Sequence, residues 1–430
     1  MIVLNLKTKR LHNGERRYTE VFDFLICSTG LHCKPYVPSI DNMHKFRGEI
    51  MHSAYYKAND DRIKGKRVIV VGNSYSGVEI ASHLVDHASS VCNVFDRPYL
   101  VFPRLLKMRA HDETTGAPLP NTYHIVPIDL LFGRDLTFSQ RTIEEERMAK
   151  IDLYSQLCPE QTSKYLSHPD MYYELDNDEP IREAVTDNYY PYVNSGKIVP
   201  RKTRIVRFEP HGVRLANGLF EPADVVLFCT GYTLCMDYLD QKVLDVLKYD
   251  TNKTKMPILL YNYTVHPDLA NLAMVGEING LFFAGFELQA RWAMRLFTGE
   301  QTLPPRHIID AQMRKDAMLA EKAQSNQYPH GIYNELIDKL ASEIDALPDF
   351  EFIREANPYL FDMLWRNGTI PSHFCLQEKP ALAISIMKEV DEIIRRKYVF
   401  TDEEIFDNST SLLAKKFSEY YNIPLHLFKD

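Results

Sequence analysis

Lys66-Arg67-Val68-Ile69-Val70-Val71-Gly72-Asn73-Ser74-Tyr75-Ser76-Gly77-Val78-Glu79-Ile80-Ala81 is the stretch on which the reading of this chain turns. Val68 to Val71 is an unbroken β-branched run, the pattern of a strand buried on both faces of a parallel sheet. Gly72 turns the chain, Gly77 lets the next helix lie close to the strand, and Val78, Ile80, Ala81 and Leu84 face the sheet from that helix. A strand, a glycine turn and a helix in this order aim free N–H groups and the positive end of the helix dipole at a dinucleotide pyrophosphate. In Gly72-Asn73-Ser74-Tyr75-Ser76-Gly77 the second glycine of G-x-G-x-x-G is Ser74, a small side chain at the point of closest approach. The flanking strand and helix supply the context that the hexapeptide alone lacks. Ser74 and Ser76 are each candidates for phosphate binding or for capping the helix.

Ser90 to Phe95 reads as the second strand of this unit and ends at Asp96-Arg97, about twenty residues past the turn, where a side chain meets the adenosine ribose. An acid there holds the 2′-hydroxyl of NAD, and an arginine accommodates the 2′-phosphate of NADP. The two stand side by side here; the reading leans to Arg97 and NADP, with Arg104 as a second cation.

A chain of 430 residues is long enough for two or three domains. Hydrophobic content of 45% and charged content of 25% are ordinary for a globular protein, and a net charge of −8 argues against a nucleic-acid surface. No run approaches the ~18 apolar residues of a membrane span, and the first residues lack the pattern of a signal peptide. Seven scattered cysteines suggest reduced thiols rather than a disulfide framework, hence a cytoplasmic chain or one on the cytosolic face of a membrane. No Cys/His/Asp/Glu spacing suggests a metal, and the sequons at Asn252, Asn262, Asn367 and Asn408 read as chance matches.

In chain order, Met1 to Leu6 and Val21 to Cys27 read as strands around a His12-Asn13-Gly14 turn. Residues 31–65, with Pro35, Pro38 and Gly48, read as a connection. Residues 139–166 are helical in pattern, with Glu144, Glu145 and Glu146 as a solvated stripe, and Tyr189 to Gly196 reads as a loop. Lys197–Phe208, Gly212–Phe220, Val225–Cys229 and Leu269–Val275 read as strands. Leu288, Trp292 and Leu296 share one helix face; Leu336, Ile337, Leu340 and Ile344 form a second apolar stripe, and Ile384 to Ile394 a third. Phe24-Leu25-Ile26-Cys27-Ser28-Thr29-Gly30 echoes Val226-Leu227-Phe228-Cys229-Thr230-Gly231. The two bracket the nucleotide unit, as though the chain left one domain after Gly30 and re-entered it before Gly231.

Phe46, Gly48, His52 and Tyr56 fit F-x-G-x-x-x-H-x-x-x-Y just ahead of the glycine turn. With Ser76-Gly77, Cys229-Thr230-Gly231-Tyr232 and Glu287-Leu288-Gln289-Ala290-Arg291-Trp292, this resembles the flavin-containing monooxygenases over residues 1–300, and more weakly to about residue 375. The resemblance implies an α/β protein of two dinucleotide-binding, Rossmann-like domains, an NADP domain inserted into an FAD domain, followed by a helical C-terminal region. The corresponding boundaries are 1–60 for the first FAD-domain segment and linker, 61–224 for the NADP domain, 225–305 for the return and 306–430 for the helical extension. It also implies FAD and NADP as cofactors: NADPH reduces the flavin, the reduced flavin activates O2, and a soft nitrogen or sulfur nucleophile of a small molecule takes one oxygen atom. Candidate cofactor contacts are Gly72, Asn73, Ser74, Tyr75, Ser76, Gly77, Arg97, Thr29, Gly30, Thr230 and Gly231; no catalytic side chain is singled out. His52 reads as a buried histidine bonded to backbone, Trp292 as helix packing, and Glu287, Gln289 and Arg291 as facing a domain interface or the flavin. The family's usual first βαβ unit, with its own G-x-G-x-x-G, has no counterpart before Lys66. The expectation is therefore an FAD domain without its first half. The alternatives are a non-catalytic NADP-binding protein acting as sensor or scaffold, and a Baeyer–Villiger-type relative. Association with the cytosolic face of the endoplasmic reticulum and assembly into a homo-oligomer stay open.

Overall fold

The computed structural model describes residues 2–401 except 11–13, 135–147, 176–181, 251–257, 279–282, 323–332, 396–398 and positions 31, 59, 113, 116, 132, 149, 150, 153 and 156. Its centre is a five-stranded, all-parallel sheet in the order Ile198–Lys202, Ser90–Phe95, Arg67–Val71, Val225–Phe228, Glu49–His52. Strand alternation explains why both faces are apolar. Val68, Val70, Val225 and Leu227 point to one face, where Val78, Ala81 and Leu84 of the helix Tyr75–Leu84 cover them. Ile69, Cys92, Val94, Val226 and Phe228 point to the other, where Phe208, Val213 and Leu215 of an antiparallel meander (Ile205–Glu209, Gly212–Leu215, Phe220–Pro222) cover them. Tyr189–Asn194, read from sequence as a loop, is a short helix whose Tyr189, Tyr190 and Val193 fill the first face. Its Pro191 sits inside the first turn, where a missing N–H costs nothing.

Two strand pairings cross the expected boundaries. Val225–Phe228, placed at the start of the return segment, hydrogen-bonds to Arg67–Val71 and so belongs to the five-stranded sheet. Glu49–His52, placed in a connection, is the edge strand of the same sheet. A four-residue edge strand with alternating character gives little signal in sequence, because its pairing comes from a segment about 175 residues away.

A second parallel pair joins Leu25–Cys27 to Leu272–Met274, with Cys27 opposite Met274. The sequence echo therefore does not reflect one shared sheet: its first strand sits here and its second in the five-stranded sheet. The segments that follow the two strands do meet, through antiparallel pairing of Lys34–Pro35 with Tyr232–Thr233. The expected N-terminal hairpin forms between Ile2–Arg10 and Gly14–Phe22.

Helix Ala284–Thr298 buries Leu288 and Trp292 against Leu336, Ile337, Leu340 and Ile344, as their spacing anticipates. Helices Phe350–Ala356, Pro358–Arg366 and Pro380–Arg395 make a further cluster around Leu360, Met363, Leu364 and Met387. Arg134, fully buried, ties residues beyond the Ile128–Leu131 turn to this region. It pairs with Asp338 at 2.6 Å, bonds the Leu364 carbonyl at 3.1 Å and lies between the rings of Phe350 and Phe374. The Glu144–Glu146 stripe lies outside the described residues. Among those described, no helix is long and apolar enough to cross a membrane and no metal-type cluster occurs. All seven cysteines are free thiols. Asn262 and Asn367 are 2% and 3% exposed, which no glycosylation site could be.

Candidate functional site

The strand order reverses at Arg67–Val71: the chain moves outward to Ser90–Phe95 and Ile198–Lys202 on one side, then crosses to Val225–Phe228 on the other. A parallel sheet opens a crevice at such a switch point, beyond the carboxyl ends of its strands. Gly72 and the segment after Phe228 form its two lips. Gly72 has φ +110, and a Cβ there would meet the Cys229 carbonyl at 2.5 Å. A Cβ on Gly77 would meet the Gly72 carbonyl at 2.2 Å. Both glycines are thus required by backbone packing, and what they leave bare is the first turn of the helix, with its unpaired N–H groups. Ser74 sits at the N-cap with extended backbone, and its side chain makes no capping bond. Of its two candidate roles, capping is the one this geometry leaves out. Tyr75 and Ser76 are exposed on the first turn.

Asn73 behaves otherwise. It is 3% exposed, and its amide donates to Asn93 Oδ1 at 3.0 Å and to the Tyr189 hydroxyl at 2.9 Å, while its oxygen accepts the Tyr99 N–H at 2.8 Å. Asn93 in turn donates to the carbonyls of Val70 and Gly72. This network, fully buried in the first face of the sheet, fixes the turn from below, so Asn73 positions the site rather than offering its side chain to a ligand. Sequence reading passed over Asn93 and Tyr189; the available signal was one polar residue in the apolar run Ser90-Val91-Cys92-Asn93-Val94-Phe95.

At the end of that strand Asp96 pairs with Arg204 at 3.2 Å, and Arg97 is exposed beside it. Arg104, the expected second cation, pairs with Glu79 and Asp187, and Arg204 is the cation paired with Asp96.

The motif residues around His52 bind the edge of the sheet together. Phe46 packs edge-on to Phe208 at 5.4 Å, and a Cβ on Gly48 would meet the Asp224 carbonyl at 2.2 Å. His52, 2% exposed, accepts the Ala54 N–H at Nδ1 and therefore donates from Nε2 to the Gly231 carbonyl at 3.0 Å. Burial lowers its pKa, which keeps it in this neutral form. Tyr56 meets His83 at 2.5 Å. Thr230 donates to the Tyr36 carbonyl, and Gly231, at φ +80, also accepts the Tyr36 N–H at 2.9 Å. Thr230 and Gly231 thus lie on the lip of the crevice and clamp the crossing segment.

Thr29 and Gly30 lie elsewhere, at the end of the Leu25–Cys27 strand. Thr29 bonds the Tyr238 hydroxyl at 2.9 Å, and Gly30 has φ +70 with open space where a Cβ would be. The parallel partner strand ends at Met274, with Gly276 and Glu277 just beyond it. Glu277 is buried, neither of its oxygens is hydrogen-bonded among the described residues, and burial pushes its pKa up to about 7. Its sequence signal, an acid straight after an apolar strand and a glycine, went unread. Gln289 is wholly buried, accepting the Gly276 N–H and donating to the Tyr263 carbonyl and to Thr264, while Arg291 binds the Phe374 carbonyl and Glu378. Both hold the helix to its neighbours, and Trp292 is core.

The chain is 28% identical over 357 residues to mouse dimethylaniline monooxygenase [N-oxide-forming] 2, covering 81% of this chain and 61% of the relative. It is 27% identical over 346 residues to human flavin-containing monooxygenase 2, covering 79% and 59%. The chain thus spans about three fifths of the length of these relatives. Its fold is similar to that of cyclohexanone monooxygenase from Rhodococcus sp. Phi1 bound to NADP+, with a TM-score of 0.50 at 14% identity over 79% of this chain and 75% of that one. The family description flavin-binding monooxygenase-like matches residues 8–381, and the chain belongs to that family.

Proposed function

We propose that the protein is a flavin-dependent monooxygenase that binds NADP(H) at the Gly72–Gly77 turn and FAD beside the Leu25–Cys27 and Leu272–Met274 strands, and that it transfers one oxygen atom of O2 to a soft nitrogen or sulfur nucleophile. The observation that carries this is the switch-point crevice, whose lips are a φ +110 glycine and the Thr230-Gly231 segment. The residues present fit a diphosphate: the backbone of Gly72 and Gly77 is bare, and the Ser74 hydroxyl is uncommitted to the helix cap. Ser74, Tyr75 and Ser76 offer N–H and hydroxyl donors to it, while Asn73, Asn93 and Tyr189 hold the turn still. Arg97 and Arg204 flank Asp96 where the adenosine ribose falls in this fold, and two cations against one acid favour a 2′-phosphate. Bound flavin would supply the O2-activating chemistry and NADPH the hydride. On this reading the NADP domain runs from Glu49 to Phe228, and His52, through Gly231, sets the angle at which the crossing segments leave it.

Calorimetric titration tests the nucleotide assignment: NADP+ should bind at least tenfold tighter than NAD+, and Arg97→Ala should erase most of that ratio. Equal binding of the two, or none, would reject it. Flavin absorbance together with NADPH-dependent O2 uptake separates the enzyme from a non-catalytic NADP-binding protein, which would bind NADP+ and stay colourless. Oxidation of a cyclic ketone in preference to a tertiary amine or thioether would favour the Baeyer–Villiger alternative.

A further inference from the structure

The strands Leu25–Cys27 and Leu272–Met274 run parallel, so their carboxyl ends lie side by side, the end at which parallel sheets receive ligands. Gly30 and Gly276 follow them, both in the left-handed region, and neither would bring a Cβ within 4 Å of another group. The backbone is bare at both glycines. Glu277, next to Gly276, is 7% exposed, and neither carboxyl oxygen has a hydrogen-bond partner among the described residues. Nearby polar groups are satisfied: Thr29 with Tyr238, and the Gly276 N–H with Gln289 at 3.0 Å. Leaving a buried acceptor unpaired is costly, and the burial alone pushes Glu277 up to about 7 while raising its neighbours Cys27 and Tyr238. The folded chain thus presents an acceptor whose donors it does not itself supply.

We propose that Glu277 anchors a ligand subsite at these strand ends, accepting hydrogen bonds from a polyhydroxylated chain, which is the ribityl chain of flavin. This rests on the flavin reading above. A lone carboxyl within electrostatic reach of the Tyr238 hydroxyl, which Thr29 bonds, complements a sugar-alcohol chain, whereas a metal would need further ligands and no such cluster occurs among the described residues.

The test compares riboflavin with lumiflavin, which has the same ring and no ribityl hydroxyls, by fluorescence titration of the full chain and of Glu277→Gln and Glu277→Leu, with melting of each ligand-free protein. Glu277→Leu should weaken riboflavin at least tenfold, leave lumiflavin unchanged and raise the ligand-free melting temperature; Glu277→Gln should show a smaller loss. Unchanged riboflavin binding in both variants overturns the inference and leaves the flavin reading intact. Wild-type protein that binds neither flavin overturns both. An equal loss for the two flavins, or a lower ligand-free melting temperature in Glu277→Leu, makes the carboxyl structural and overturns the subsite.

Discussion

The two places where parallel strands end at left-handed glycines differ in how their buried polar groups are treated. Beneath the Gly72 turn, Asn73, Asn93 and Tyr189 satisfy one another and the strand carbonyls, and five strands with both faces covered hold them in place. Beyond Met274 a two-stranded pair carries Glu277 with both oxygens unpaired. The first place is satisfied within the chain; the second leaves an acceptor that no described residue pairs. Preorganised polar networks rigidify a site, and an orphaned buried group marks one whose partner comes from outside.

Substitutions can break that contrast. The largest effect should come from Gly77→Val, because its Cβ meets the Gly72 carbonyl and backbone, not a side chain, must move. Nucleotide binding should be lost and stability should fall by about 3 kcal/mol or more, read by calorimetry and by denaturant melts. Next, Asn93→Leu should cost about 3 kcal/mol, since it removes the buried acceptor that the Asn73 amide and the Tyr189 hydroxyl share, and NADP+ binding should weaken with it. Were it to stabilise the protein, as Glu277→Leu is expected to do, the two regions would be alike and the contrast would fail.

A pH series sharpens the same point. Folding raises Glu277 from 4.5 to about 7, so the native state holds a proton that the unfolded chain releases. Its contribution to stability is complete below pH 4.5 and disappears as pH rises through about 7, amounting to at most about 3 kcal/mol. Wild-type protein should lose melting temperature over that window relative to Glu277→Gln; parallel curves would show the carboxyl is solvated. Smallest of all should be Asp224→Asn. Arg67 holds Asp224 down at about 2, so this pair stabilises above pH 3.8 and fades as pH falls through 2. With side chains 42% and 37% exposed, the pair is worth less than about 1 kcal/mol in a melt at neutral pH.

Much of the nucleotide domain was legible because its signals are local. A β-branched run, a glycine turn and a helical apolar stripe fall within twenty consecutive residues, and each element's pattern agrees with the next. The pairing of Ile2–Arg10 with Gly14–Phe22 and the Leu336–Ile344 stripe could be read for the same reason. The pairing of Glu49–His52 with Val225–Phe228 could not be read because strand partnership is a long-range property: a four-residue strand carries no mark of the strand it joins.

The sequence alone determined the turn, its glycines and the family motifs, since these depend on backbone conformation and on spacing along one chain. Only tertiary structure decided that Asn73 faces inward, that Arg204 rather than Arg104 stands beside Asp96, and that Glu277 is buried without a partner. Burial and pairing arise when segments distant in sequence come together, and a side chain's chemistry follows from what then surrounds it.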